Sequence, residues 1–205
     1  MKSPMSEWIP ALICGAYFLG SVPFGYLIVR LVRGVDIRET GSGSIGATNV
    51  VRAMGKRWGI LVFALDVAKG FLPALAGMRI GSPAVACCAG LAAVAGHNWP
   101  CFLAFRGGKG VATSCGVVLA VFPPGLAAGL AAWAVSLKLW RYVSLSSMIG
   151  GAALLAAALA FQDEPFGADL PVTVLAVTAA ALSVIRHRAN VGRLLKGTEP
   201  RVGGS

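Results

Sequence analysis

Charged side chains are scarce in this chain, and acidic side chains are the scarcest. Only 13% of its 205 residues are charged, with 8 acidic residues against 18 lysines and arginines, whereas 57% are hydrophobic. A soluble domain of average composition carries about 25% charged residues. Together with apolar runs that approach the length of a bilayer crossing, this shortage excludes an ordinary soluble domain and indicates a polytopic membrane protein.

Side chains that bind metals or form catalytic triads are also few. The chain has two histidines and five cysteines, and the cysteines lie in or beside apolar segments without the spacing of a metal site or a disulfide framework. No Ser-His-Asp arrangement is evident, and neither histidine begins a His-x4-Asp motif, because Phe102 and Gly192 stand at the aspartate positions. We therefore expect neither a metal ion nor a cofactor.

The net charge of +10 does not by itself indicate a nucleic-acid partner. The basic residues form short clusters between apolar runs, as the positive-inside rule expects of a membrane protein. No basic face is interleaved with the aromatic side chains on which bases would stack. We therefore expect membrane lipid, and no nucleic acid, to surround this chain.

Seven apolar segments predict seven transmembrane helices in an all-α protein with a single domain, residues 1–205. The segments lie near 8–31, 58–77, 82–99, 111–122, 125–140, 143–161 and 170–185. The first runs unbroken from Trp8 to Leu31, which is too long for a cleaved signal peptide. The fourth and fifth are shorter than the roughly 20 residues of a full crossing. Pro123-Pro124 separates them and favours a tight hairpin, with one interrupted helix as the alternative.

The basic residues predict the orientation of these helices. They follow the first, third, fifth and seventh segments, whereas the opposite connections hold Arg79, a Pro-Pro turn and the acidic stretch 162–165. The positive-inside rule then places the amino terminus outside and the carboxyl terminus in the cytoplasm. Three polar, glycine-bearing segments would share the cytoplasmic face, and we expect them to form one composite site.

The segment 97–113 places a glycine-rich, doubly cationic loop between two apolar segments. Gly107, Gly108 and Gly110 allow backbone amides to turn towards an anion, and Lys109 adds a mobile positive charge. A helix that starts at Val111 would strengthen such a phosphate site. The alternative is a glycine-rich turn whose basic residues only follow the positive-inside rule.

This loop is not a nucleotide-binding Walker A motif. That motif needs Gly six positions before Lys109, where the chain has Leu103, and Ser or Thr directly after it, where the chain has Gly110. Nucleotide hydrolysis is therefore disfavoured. His97, close to the bilayer boundary, is expected to pack at a helix end rather than to act as a base.

Two further polar segments offer groups that bind anions. In 41–52, small residues and hydroxyls precede Arg52, whose planar guanidinium suits phosphate, and Asn49 is expected on the same side of one helical turn. In 186–199, His187 and Asn190 share a helix face that Arg193 continues. The alternatives are a flexible loop whose arginine holds lipid headgroups and a basic helix attracted to anionic lipid.

One ionisable pair lies inside an apolar segment. Asp66 and Lys69 are spaced i, i+3 in the second segment, where charged residues are costly and usually functional. We expect a structural pair that bridges to another helix.

Taken in order, four motifs resemble those of the bacterial acyl-phosphate:glycerol-3-phosphate acyltransferase family, PlsY. They are Gly-Ser-Gly-x-x-Gly-Ala-Thr-Asn-x-x-Arg at 41–52, Gly-His-x-x-Pro at 96–100 with Gly-Gly-Lys-Gly-Val-Ala-Thr at 107–113, Arg-Tyr-Val-Ser-Leu-x-Ser at 141–147, and His-Arg-x-Asn-x-x-Arg-Leu at 187–194 with Gly-x-Glu at 197–199. The chain departs from the family pattern at Ser44, where Asn is common, at Arg106, where Lys is, and at Ala189, where an acidic residue is.

The resemblance implies transfer of a fatty acyl group from acyl phosphate to the C1 hydroxyl of glycerol 3-phosphate. The products would be 1-acyl-glycerol 3-phosphate (lysophosphatidate) and inorganic phosphate, at the first acylation of phospholipid biosynthesis. It also implies seven spans in the bacterial inner membrane, an active site on the cytoplasmic face, and no use of acyl-CoA or acyl-carrier protein. The oligomeric state is left open.

By the same resemblance, Lys109, Arg52, His187 and Asn190 are the catalytic residues. Substrate binding falls to other matched positions of the motifs: Ser42, Thr48, Asn49, Gly107, Gly108, Gly110, Thr113, Ser147, Arg188 and Glu199. We expect the loop at 107–113 to bind acyl phosphate, and Arg52 to bind glycerol 3-phosphate with Ser42, Ser147, His187 and Asn190. A substrate phosphate oxygen would accept the hydroxyl proton, with His187 as the alternative base.

A membrane transporter of phosphate-bearing anions is the alternative from a different functional class. It predicts cations along a transmembrane path and a site near the midplane between repeated halves. In this chain the cations cluster on the predicted cytoplasmic side, and no repeat is evident in the sequence.

Overall fold

The computed structural model describes residues 7–203, and that part of the chain is all-helical. Its helices are α1 (Ile9–Ser21), α2 (Phe24–Arg33), α3 (Ala47–Met54), α4 (Lys56–Ile80), α5 (Pro83–Asn98), α6 (Val111–Val121), α7 (Pro123–Trp140), α8 (Val143–Phe161), α9 (Leu170–Arg186) and α10 (Arg188–Leu195). The chain divides into two compact units at Val121. The first unit contains α1 to α6 and the second contains α7 to α10; the single functional domain stays a prediction.

Each predicted apolar segment coincides with helix, but the first is not continuous. α1 ends at Ser21 and α2 begins at Phe24. The apolar stretch is unbroken in the sequence, but its helix is interrupted because Pro23 has no N–H to donate and its ring disfavours helical geometry in the residue before it. At this break the carbonyl of Val22 accepts the N–H of Phe24 at 3.1 Å and also a side chain of α4.

α4 is the central helix of the first unit. It packs against α1, α3, α5 and α6. Glycines bring the backbones of α4 and α6 into direct contact, because a Cβ on Gly70 would collide with the carbonyl of Thr113, and one on Gly116 with the carbonyl of Val67. Small residues at such crossings are typical of helices packed within a membrane. The start of α6 is therefore held tightly against the middle of α4.

The second unit is a run of helices packed in sequence. α8 lies against both α7 and α9. Arg141, in the left-handed region at φ 63°, makes the turn between α7 and α8. α9 and α10 meet at a bend of 56°, and His187 stands at that bend. The bend brings one polar side chain to the junction of two helices.

By length and composition, three helical stretches of the described residues could cross a membrane. They are Ile9–Arg33, Lys56–Ile80 and Val143–Phe161, and the bent α9–α10 pair would make a fourth. α6, with 11 residues, is shorter than a full crossing. The helix breaks at Phe122, before the double proline. Whether a hairpin follows from that break stays a prediction.

Candidate active site

The loop before α3 is organised around one buried amide. Asn49 is 2% exposed. Its Nδ2 donates to the carbonyls of Ile37 at 3.2 Å, Thr40 at 3.0 Å and Ser44 at 2.9 Å, and its Oδ1 accepts from the backbone N–H of Ser42 at 3.0 Å. All these bonds serve the chain itself. Asn49 therefore shapes the loop that presents Ser42, and its binding of substrate stays a prediction.

A glycine is required where this loop passes Asn49. Gly41 has φ +58°, and a Cβ there would collide with the Oδ1 of Asn49. The left-handed conformation and the close approach both exclude a side chain. The sequence pattern indicated close backbone approach here, and the structure shows that the approach is to the protein's own amide.

Two predicted binding residues lie together on the exposed side of α3. Thr48 and Arg52 are spaced i, i+4 and both are exposed, whereas Asn49 and Val50 are buried. Val50 packs into a core cluster with Val29 and Ile37. Arg52 and Asn49 were expected on one side, but they occupy different environments: the arginine faces outward and the amide faces inward.

The glycine loop, residues 104–110, runs against the end of α5. The N–H of Gly108 donates to the carbonyl of His97 at 3.0 Å, and a Cβ on Gly108 would collide with the Nε2 of the same histidine. Gly110 has φ +79°, and a Cβ there would lie 2.7 Å from the Oδ1 of Asn98. The loop is therefore seated on the side chains of His97 and Asn98, with Lys109 half-buried between two buried glycines. His97 packs at the helix end, as expected.

Two non-glycine residues in this loop have positive φ. Ala104 has φ 49° and Phe105 has φ 61°. The N–H of Phe105 donates to the carbonyl of Pro100 at 2.9 Å, and that of Arg106 donates to the carbonyl of Leu103 at 3.0 Å. Left-handed side-chain residues are strained and concentrate at functional sites. The sequence offered no signal for this strain.

α6 begins directly after the glycine loop. The N–H of Ser114 donates to the carbonyl of Gly110 at 2.8 Å, so the backbone N–H groups just before it have no helical acceptor of their own. Such a helix start attracts anions. Thr113, predicted to bind substrate, is 0% exposed and lies against Gly70 of α4. Its backbone carbonyl makes this close approach to α4, and the binding role of its side chain stays a prediction.

The ionic pair, Asp66 and Lys69, joins α4 to the break between α1 and α2. The Nζ of Lys69 lies 2.9 Å from the Oδ1 of Asp66 and donates to the carbonyl of Val22 at 3.0 Å. Both side chains are almost completely buried. The prediction of a structural pair that bridges to another helix is confirmed by the bond to Val22.

The second unit gathers its polar residues around one carboxylate, the Glu199 cluster. Glu199 is 7% exposed. Its Oε1 accepts from the Oγ of Ser144 at 2.6 Å and from the Nδ2 of Asn190 at 2.7 Å, and its Oε2 accepts from the Nε of Arg193 at 2.7 Å. Burial raises the pKa of Glu199, but these three hydrogen bonds outweigh it and leave the pKa below its ordinary value.

Glu199 thus organises the protein by contacts with its own chain. The hydrogen bonds it makes fold the C-terminal segment onto α8 and α10 and orient the amide of Asn190, and its binding of substrate stays a prediction. Ser144 was not predicted as a site residue, although it lies in the motif at 141–147. Its position one helical turn before Ser147 was the available signal.

His187 is held by a backbone carbonyl. Its Nδ1 lies 2.6 Å from the carbonyl oxygen of Ser183, so the neutral ring carries its hydrogen on Nδ1 and keeps a lone pair on Nε2. The Oγ of Ser183 donates to the carbonyl of Ser147 at 3.2 Å, and the Oγ of Ser147 donates to that of Val143 at 2.8 Å. Sequence reasoning missed Ser183, which lies one helical turn before His187. Arg188, the next residue, is exposed.

The C-terminal segment is fastened to the turn between α7 and α8. The guanidinium of Arg141 donates to the carbonyl of Val202 at 2.9 and 2.6 Å, and the N–H of Val202 returns a bond to Arg141 at 2.8 Å. Arg201 donates to the hydroxyl of Tyr142 at 2.9 Å and lies over its ring. These bonds keep Glu199 beside Ser144.

Within residues 7–203, no group of three or more His, Cys, Asp or Glu side chains is arranged to hold a metal ion.

Comparison with known proteins covers nearly the whole chain. The family model described as glycerol-3-phosphate acyltransferase matches residues 10–197. A glycerol-3-phosphate acyltransferase of Desulforudis audaxviator is 45% identical, over 96% of this chain and 98% of that protein. One of Aquifex aeolicus is 48% identical, over 93% of this chain and 97% of that protein.

The fold is also similar to two solved structures of one enzyme. The crystal structure of PlsY (YgiH), an integral membrane glycerol 3-phosphate acyltransferase, in its glycerol 3-phosphate form has a TM-score of 0.89 and 43% identity, over 95% of this chain and 96% of that one. Its lysophosphatidic acid form has a TM-score of 0.85 and 42% identity, over 94% of both chains.

Proposed function

This chain belongs to the glycerol-3-phosphate acyltransferase family, and we propose that it transfers a fatty acyl group from acyl phosphate to the C1 hydroxyl of glycerol 3-phosphate. Family membership confirms the resemblance carried by the four motifs and makes the protein an acyltransferase of phospholipid biosynthesis. It favours an enzyme over the anion transporter that the sequence left as an alternative. The products would be lysophosphatidate and inorganic phosphate.

The observation that carries the proposal is the glycine loop, seated on His97 and leading into the start of α6. Amides at a helix start and the Lys109 ammonium offer a phosphate group both hydrogen bonds and positive charge. We assign this loop to the phosphate end of acyl phosphate, with the acyl tail in the bilayer. Lys109 would offset the charge on the phosphate as it leaves.

Glycerol 3-phosphate needs a grip on its own phosphate and an aligned hydroxyl. In the first unit, exposed Arg52 suits the phosphate by its bidentate fork, and the loop held by Asn49 presents Ser42. The assignment of Ser147, His187 and Asn190 to glycerol 3-phosphate rests on the resemblance of the motifs alone. The Nε2 lone pair of His187 would accept a hydrogen bond from a substrate hydroxyl.

The proposed reaction is a direct attack without a covalent enzyme intermediate. The C1 oxygen of glycerol 3-phosphate forms a bond to the acyl carbonyl carbon, and the bond from that carbon to the phosphate oxygen breaks. A phosphate oxygen of a substrate takes the hydroxyl proton, and inorganic phosphate leaves. Acyl phosphate is already activated, so positioning can supply roughly 7–11 kcal/mol of the barrier.

The test is an assay of the purified protein in detergent with acyl phosphate and glycerol 3-phosphate. Released phosphate and lysophosphatidate are both measured, and acyl-CoA and acyl-carrier protein are supplied as donors in parallel. We expect equal amounts of the two products with acyl phosphate and none with the other donors. A folded protein that binds glycerol 3-phosphate but forms no lysophosphatidate from acyl phosphate would contradict the proposal.

We also propose seven membrane spans with the amino terminus outside, the carboxyl terminus in the cytoplasm and the active site on the cytoplasmic face of the bacterial inner membrane. The distribution of basic residues supports this orientation. Arg201→Cys, in a chain whose five native cysteines are replaced, tests it. An impermeant thiol reagent should label that cysteine in inside-out vesicles and not in intact cells, and the reverse pattern would refute the orientation.

A further inference from the structure

The ionic pair of α4 has no part in the chemistry proposed above. The side chain of Lys69 is 1% exposed and that of Asp66 is 3% exposed, within a helix long and apolar enough to cross a membrane. Charges in such a place are costly and usually serve a function. The bond of Lys69 to Val22 accounts for the lysine, but not for the position of the carboxylate.

Lys69 is directed to the break between α1 and α2. Its Nζ donates to the carbonyl of Val22, directly before Pro23, and lies 5.6 Å from the centroid of the Phe24 ring. A neutral, polar side chain at position 69 would satisfy the same carbonyl. The positive charge is needed by Asp66.

Asp66 also faces α5. The same Oδ1 that meets Lys69 lies 3.6 Å from the Nδ1 of His97, an electrostatic contact slightly longer than a hydrogen bond. On the other edge of the imidazole, Nε2 occupies the place where a side chain on Gly108 would begin. The backbone of His97 also accepts the N–H of Gly108 at 3.0 Å. The imidazole therefore lies between the carboxylate of α4 and the glycine loop.

We propose that Asp66, acting through His97, is a positioning residue for the glycine loop, which places Lys109 on the phosphate of the acyl donor; the substrate in this statement rests on the proposed function. The charge of the carboxylate, 3.6 Å from Nδ1, favours the orientation of the ring in which Nδ1 faces α4. The opposite edge of the ring then packs against the backbone at Gly108 and sets the place of the loop. Lys69, whose Nζ lies 2.9 Å from the same carboxylate, supplies the opposite charge beside it.

Two double variants distinguish this role from general support of the fold. Both carry Lys69→Met together with a substitution of Asp66, so that neither variant leaves one buried charge without its partner. One adds Asp66→Asn, whose amide oxygen still presents a partial negative charge to Nδ1, and the other adds Asp66→Leu, which does not. A second comparison, His97→Gln against His97→Leu, makes the same distinction at the imidazole and does not depend on how position 66 tolerates leucine.

The Michaelis constant for acyl phosphate is the main measurement. We expect the amide variants to stay within about threefold of the parent chain, and the leucine variants to raise KM about tenfold or more, because loss of alignment is costly. A purely structural role would lower the amount of active enzyme and therefore the maximal rate, but not KM. With His97→Leu already present, exchange of Asn for Leu at position 66 should have no further effect on KM.

The rate of trypsin cleavage after Arg106 or Lys109 measures how firmly the glycine loop is held, and it does not depend on acyl transfer. In the full-length protein in detergent, we expect faster cleavage in the leucine variants than in the amide variants. If the parent chain transfers no acyl group but cleavage still depends on residue 66, the proposed function fails and the positioning role stands. If amide and leucine variants agree in KM and in cleavage rate, or if the two positions act additively, the positioning role is refuted.

Discussion

The polar region of the first unit is defined by backbone, and that of the second unit is defined by side chains. In the first unit the glycine loop is defined by backbone: Gly108 and Gly110 leave no room for a side chain against α5. In the second unit the Glu199 cluster is defined by side chains, with three donors on one buried carboxylate. The glycine loop has no room for an added side chain, whereas the Glu199 cluster depends on each of its hydrogen bonds. Substitutions that add bulk should therefore damage the first unit, and isosteric polar changes should damage the second.

The glycine loop and the Glu199 cluster also differ in how they use their charged side chains. Lys109 is the cation of the glycine loop, and the glycines around it set where that cation lies. In the Glu199 cluster, charge is used internally, because Arg193 and Glu199 meet each other. Loss of the cation in the first unit should thus remove catalysis directly, whereas loss of the Glu199 carboxylate should act through stability.

The largest effect is expected from Lys109→Ala. Removal of a charge that stabilises the departing phosphate should lower kcat/KM for acyl phosphate by about 100- to 1,000-fold. The control is Arg106→Ala, which removes an exposed cation three residues earlier and should change kcat/KM by less than about threefold. Equal effects of the two substitutions on steady-state rates would mean that the loop needs only its overall charge.

The second-largest effect on kcat/KM is expected from Gly108→Ala. The added Cβ must displace the ring of His97, so we expect kcat/KM to fall by about 100-fold through misplacement of the loop. Gly15→Ala is the matched control, because a Cβ on that glycine of α1 meets nothing within 4 Å, and its activity should be unchanged. Unaltered activity in the Gly108 variant would show that the loop is not defined by backbone fit.

Glu199→Gln should act on stability. One of its oxygens becomes an amide nitrogen that cannot accept, so a buried donor loses its partner, at about 1–3 kcal/mol. The lowered pKa of Glu199 means that its charge stabilises the fold above the ordinary value of 4.5, and that this contribution is lost as pH falls through the folded-state pKa. Chemical unfolding in detergent at pH 7 and pH 4 should show a smaller dependence on pH in the variant. An identical dependence would show that Glu199 does not carry it.

The smallest effect is expected at the fastening of the C-terminal segment. Tyr142→Phe removes the hydroxyl that accepts from Arg201 but keeps the ring beneath the guanidinium. Because this contact is exposed, the free energy of unfolding should change by less than about 1 kcal/mol. A larger loss, measured by the same unfolding method, would place the fastening among the determinants of the second unit.

The sequence predicted the helices and the pattern of motifs well, because apolar periodicity and ordered motifs are local properties. It predicted that Lys69 would reach another helix, since a buried charge must find a partner. It did not predict the direction of side chains within a motif. The hydrogen bonds of Asn49 and Glu199 with their own chain could not be predicted, because they depend on loop paths that residue types do not specify.

The central claim is that substrate positioning, without a base from the protein, performs the transfer, and His187→Gln tests it most directly. Steady-state rates of this variant are measured at saturating acyl phosphate across a range of glycerol 3-phosphate concentrations. The account predicts a kcat within about tenfold of the parent chain and a raised KM for glycerol 3-phosphate, because glutamine still offers a hydrogen bond but cannot act as a base. A kcat reduced by about 1,000-fold with KM unchanged would contradict the account and make His187 the general base.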